Sequence, residues 1–75
     1  MDRYSNRGGD SGITGYEIAQ GQIIVQFRDG SKYLYNSQSP GSAVVAEMQR
    51  LAVAGEGLNS YISRVVRKNF AQKLS

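Results

Sequence analysis

The chain has 75 residues, a formal net charge of +3, and neither cysteine nor histidine. That length makes one small domain that buries only about 60% of its unfolded surface, with no disulfide or thiolate metal site to staple it and no imidazole chemistry. The longest apolar runs, Ala43 to Ala46 and Leu51 to Ala54, fall far short of the ~18 to 20 residues of a bilayer span, and the N-terminus has no signal-peptide apolar segment, so a cytoplasmic protein with no membrane partner is expected.

Residues 1-12, MDRYSNRGGDSG, are polar and glycine-rich. They offer too little apolar surface to repay ordering and are predicted to be a disordered tail. The single RGG at Arg7 to Gly9 is too short a copy of a nucleic-acid-binding element to mark a site. From Ile13 the chain becomes rich in β-branched and aromatic residues, with Gly21 and Asp29-Gly30 between segments. That pattern predicts three strands near 13-18, 22-28 and 31-36, joined by tight turns as an antiparallel meander.

Ser39-Pro40 reads as an N-cap followed by proline at the first helical position. In the helix it opens, Val44, Val45, Met48, Leu51 and Ala52 share one side and leave Glu47 and Arg50 to water. Gly55 ends it, in the segment GEG, and Asn59 is placed to cap a second helix from Leu58 to Phe70 or beyond. On that helix Leu58, Ile62, Val65 and Val66 form an apolar arc, with Phe70 at one edge and Tyr61 at the other. Arg64, Arg67 and Lys68 gather on the remaining ~100°. Residues 71-75 are read as the frayed end of this helix. The expected fold is therefore an α+β domain over 13-70, a three-stranded antiparallel β-meander followed by two α-helices packed on one face.

Several of these motifs together resemble the KTSC domain family, small modules found at the end of some lysyl-tRNA synthetases and alone in bacterial proteins. The resemblance spans roughly 11-70. It rests on SGITGYE at 11-17, on IIVQF leading into a D-G turn, and on YLY as the family's Y-x-Y. Pro40 at the head of a helix and GLNSYI as the G-x-N-x-x-I ending complete it. The chain departs from the pattern at Ser39, where valine usually precedes the proline, and at Gly55, where serine is usual. The resemblance implies RNA binding by analogy with the synthetase attachment, without naming a binding surface.

Tyr33 and Tyr35 are either core or a stacking platform flanked by Arg28 and Lys32, and loop length decides which. A two-residue loop at Asp29-Gly30 sets both rings opposite Gln26 and Ile24, on the face away from Phe27. A three-residue loop, Arg28 to Gly30, pairs Phe27 with Ser31 and gathers Ile23, Val25, Phe27, Tyr33 and Tyr35 on one surface that helices can cover. The second arrangement is favoured because it segregates the large side chains. It leaves Gln22, Gln26, Arg28 and Lys32 on the other face with Ile24 and Leu34, whose apolar surface would suit a partner or weak self-association.

Charge is distributed unevenly. After Glu56 the chain carries Arg64, Arg67, Lys68 and Lys73 and no acid. A ridge of this kind commonly serves as a solvated face that complements the helix C-terminal dipole. What raises phosphate binding above that background is the lack of competing acids, with Tyr61 beside the ridge as a candidate stacking ring. Catalysis is not expected: there is no close carboxylate pair, the serines have no base partner, and no acidic loop suits a cation. The expected function is a small non-catalytic binding module without cofactor, a monomer or weak dimer. RNA is its leading partner, with Arg64, Arg67, Lys68, Tyr61, Arg28 and Lys32 as candidate contacts. The alternative is a protein-protein interaction module using the open sheet face.

Overall fold

A computed structural model describes residues 1-7 and 12-75. Among these described residues the chain forms a small α+β domain with an antiparallel sheet of five strands in sequential order, two more than the three-stranded meander expected. The strands are β1 (Asp2–Arg3), β2 (Ile13–Ala19), β3 (Gln22–Phe27), β4 (Lys32–Asn36) and β5 (Gln72–Lys73); the helices are α1 (Ser42–Ala54) and α2 (Leu58–Tyr61). The three central strands are those that alternation predicts. Both added strands are two-residue edges drawn from segments read as a tail and as a helix end.

The N-terminal segment is held at more than one point. Asp2 and Arg3 pair with Tyr16 and Gly15, and Tyr4, only 3% exposed, joins the core. A β-carbon at Gly15 would sit 3.1 Å from the Asp2 carbonyl, so glycine there admits the first strand at close range. The Tyr4 hydroxyl accepts the Leu58 backbone N–H at 3.2 Å, and the Arg7 N–H donates to the Gly55 carbonyl at 2.6 Å. The tail reading thus fails over residues 1-7, because one buried ring and a few backbone bonds supply what mean composition concealed. The glycines of the RGG element and the first residue of SGITGYE lie outside the described residues.

Helix α1 begins later than Ser39-Pro40 predicts. The Asn36 side-chain carbonyl accepts N–H groups from Gln38 at 3.0 Å and Ser39 at 3.2 Å, an Asx turn that holds the chain in a loop. Pro40, after a cis peptide bond, bridges back to Asn36, and Gly41 is the N-cap. The far end agrees with the reading: Gly55 is left-handed at φ 78° and its N–H returns to the Leu51 and Ala52 carbonyls. Val45, Met48 and Ala52 are buried against the sheet, with Val44 and Leu51 half-buried beside them. Gln49 Nε2 donates to the Ala19 and Gln22 carbonyls at 3.1 and 2.9 Å, pinning the helix across the β2–β3 turn.

The second helix is much shorter than expected. Gly57 replaces Asn59 as its N-cap, and after Tyr61 the chain widens into a π-helical segment, Ile62–Val66, that ends there rather than at Phe70. Leu58, Ile62 and Val66 are buried, whereas Val65 is 50% exposed. Bonding to the fifth residue back widens the turn and takes Val65 off the core side. Arg67 then adopts φ 53°, ψ −124°, which turns the chain toward β4. Gln72 and Lys73 pair with Leu34 and Tyr33, and the Ala71 and Leu74 N–H groups donate to the Leu34 and Lys32 carbonyls at 2.7 and 2.8 Å. An edge strand with unmet backbone groups competes successfully with three or four more residues of helix.

Candidate nucleic-acid interface

The β3–β4 loop has three residues. The Phe27 N–H donates to the Ser31 carbonyl at 2.8 Å, the Gly30 N–H to the Phe27 carbonyl at 2.9 Å, and Gly30 takes the positive φ, 91°, that this loop requires. Asp29 Oδ1 accepts from the Ser31 amide at 2.9 Å and its hydroxyl at 2.6 Å. These two bonds, the hydroxyl's first, hold the Asp29 carboxyl below its ordinary range, with Lys73 a lesser contribution. The register pairs Tyr33 with Val25 and Tyr35 with Ile23, and places Ile24 opposite Leu34 and Gln26 opposite Lys32. The Y-x-Y rings therefore lie on the helix-covered face.

They do not share one environment. Tyr35 is 2% exposed, and burial, with the neighbouring Tyr33, pushes its phenol up to about 12. Tyr33 is only half-buried. Its ring meets Phe27 edge-on at 5.6 Å and Phe70 at 4.7 Å with a 51° tilt, and the Lys73 ammonium lies 5.8 Å from its centroid. Between the hairpin and the segment after the π-helix, these rings line an open cleft of about 320 Å³. Phe27, Tyr33, Tyr35, Ile62 and Phe70 supply its apolar surface, Asp29 and Ser31 come from the hairpin turn, and Arg67 and Lys68 come from the chain beyond the helix.

The six predicted contacts are thus dispersed. Arg67 and Lys68 reach the cleft, both exposed and without an ion-pair partner among the described residues. Arg64 is exposed on the π-helical segment and is not part of the cleft lining. Tyr61 is half-buried against the core rather than a free ring beside a ridge. Arg28 lines a separate polar cleft of about 380 Å³ with Arg3, Asn6 and Thr14, and Lys32 pairs with Gln26 on the opposite sheet face. The ridge of one continuous helix dissolves because that helix stops at Val66. Phe70 and Lys73 enter the site only through the return of the chain along β4. Phe27 and Tyr33 were visible as neighbours by strand parity, though not as walls of a cleft.

Among the described residues no three His, Cys, Asp or Glu side chains gather as a metal site, and no helix is long and apolar enough to cross a membrane. No family model, curated protein or solved structure matches the chain.

Proposed function

We propose that the chain is a non-catalytic module, of the kind its KTSC-like motifs imply, that binds single-stranded RNA. The observation that carries this reading is the meeting of Arg67 and Lys68 with an aromatic-walled cleft. Cations without acidic partners attract a phosphate backbone, and aromatic rings accept unpaired bases that a duplex would hide. Arg64, exposed one turn earlier and outside the cleft lining, adds a cation for a strand that runs beyond the cleft. With about three or four phosphate contacts, the logarithm of the binding constant falls with the logarithm of salt at a slope of roughly −2 to −3. Affinity is micromolar at best.

An NMR titration of the full chain with short unstructured RNAs at two salt concentrations tests it. Replacing Arg67 and Lys68 together by glutamine should flatten the slope by about 1.4 and leave the fold intact, as both side chains are exposed. The alternative, a protein-interaction module, is favoured by a different observation: Ile24 and Leu34 are cross-strand neighbours on the face away from the helices. No movement at Arg67 or Lys68 with RNA, together with amide shifts on that face that depend on protein concentration and persist at high salt, would transfer the reading to it.

A further inference from the structure

Two kinds of group line the aromatic cleft from separate parts of the chain. The hairpin turn contributes a carboxylate, Asp29, whose Oδ1 is occupied by Ser31. The segment after the π-helix contributes the cations Arg67 and Lys68, and neither forms an ion pair with Asp29. A cleft of about 320 Å³ lies at the small end of the ~300 to 1,000 Å³ typical of ligand pockets. It has room for one flat ring system with its attached phosphate, not for a duplex. Charges of opposite sign held apart around aromatic walls complement a ligand with the same separation: an anion at one part, a flat body, and N–H donors at another.

We propose that the cleft captures a single unpaired nucleotide, its base against Phe70 and Tyr33, its phosphate on Arg67 and Lys68, and its base edge read by Asp29. This rests on the RNA-binding reading and adds a base preference to it. A carboxylate accepts hydrogen bonds and donates none. Guanine offers two adjacent N–H donors on its pairing edge. Adenine and cytosine offer an amino group, and uracil sets its single N–H between two carbonyl oxygens that a carboxylate repels. Guanine should therefore bind best and uracil worst. Ser31 has a supporting part, because its two bonds to Oδ1 fix the carboxylate and leave Oδ2 to face the base. The track of cations alone would bind any sequence, whereas this arrangement makes one position in the strand selective.

The test is a titration of the full chain, at low salt, with pentauridylate and with the same strand carrying one central guanosine. The guanosine strand should bind about tenfold more tightly, the scale of one good paired contact to a base edge. The ring signals of Phe70 and Tyr33 should move with it, and the amides of Arg67 and Lys68 should move with both strands. Asp29→Asn keeps the turn, since asparagine makes the same Asx bond, and should erase most of the preference, bringing the affinities of the two strands together. Phe70→Ala should weaken binding of the guanosine strand by about tenfold through lost stacking at an unchanged salt slope.

Guanosine monophosphate and inorganic phosphate serve as separate arms. Movement of the ring signals by the nucleotide as strongly as by the strand would support the site and identify a free nucleotide as its ligand. If Arg67 and Lys68 respond equally to both strands and to phosphate while the rings stay still, the base site is wrong and the RNA reading stands. If nothing moves with any strand or nucleotide, both are wrong.

Discussion

Tyr33 and Tyr35 stand two residues apart on one strand, point to one face and line the same cleft, yet Tyr35 is closed off from solvent while Tyr33 stays half-buried. Around Tyr35 the sheet lies under α1, whose Val45 and Met48 are fully buried in the same cluster. Around Tyr33 no helix continues: the π-helical segment ends at Val66, Arg67 turns the chain, and Phe70 arrives from a loop. Strand parity assigns a face. Burial depends on what crosses that face, and here one half is covered by a helix and the other by a bend that leaves room for a ligand.

Truncation gives the widest separation between the halves. Tyr35→Ala should cost on the order of 3 kcal/mol or more, close to the entire stability of a domain this small, whereas Tyr33→Ala should cost about half as much. Denaturant unfolding followed by circular dichroism measures both. Equal costs would erase the distinction between closed and open halves.

Alkali probes the closed half without mutation. The Tyr35 phenol is raised from 10.0 to about 12, so between those values the unfolded chain releases a proton that the folded chain retains. The stability due to the protonated phenol is complete below pH ~10 and declines as pH rises toward 12. Denaturant midpoints should fall across that window, with tyrosinate absorbance showing one group that ionises late. A midpoint flat to pH 12 would place Tyr35 in contact with water.

The closed half also extends to the N-terminal strap. Tyr4→Phe removes the hydroxyl that accepts the buried Leu58 N–H, for which an expected loss is about 1 to 2 kcal/mol. The Leu58 amide should then exchange faster than its neighbours. No change in either measurement would mean that residues 1-7 do not brace the start of α2.

At the open half the expected change is smaller and of opposite sign. Arg67 holds a backbone conformation, φ 53°, ψ −124°, that glycine adopts at little cost and other residues adopt under strain. Arg67→Gly should stabilise the domain by about 1 kcal/mol, the relief exceeding the added freedom of the unfolded chain. RNA binding should weaken in the same variant. Stabilisation with undiminished binding would show that the strained bend serves something other than the cleft.

The features legible in the sequence are those whose physics is local. Asp29 and Gly30 mark the hairpin, and segregation of the large side chains favours the three-residue loop over the two-residue one; the structure decides between them, with Gly30 at positive φ and Tyr33 and Tyr35 opposite Val25 and Ile23. Gly55 stops α1 for an equally local reason, and the spacing of Val45, Met48 and Ala52 identifies its buried face. The two edge strands were not legible, because two residues carry no periodicity: Asp2–Arg3 and Gln72–Lys73 are strands only because β2 and β4 offer them unmet backbone groups. The same holds for the candidate site. Arg64, Arg67 and Lys68 form a ridge on any continuous helix. Only the early end of that helix and the return of the chain along β4 take Arg67 and Lys68 to the aromatic rings and leave Arg64 behind, since the pairing of segments distant in sequence is a tertiary contest that no local pattern records.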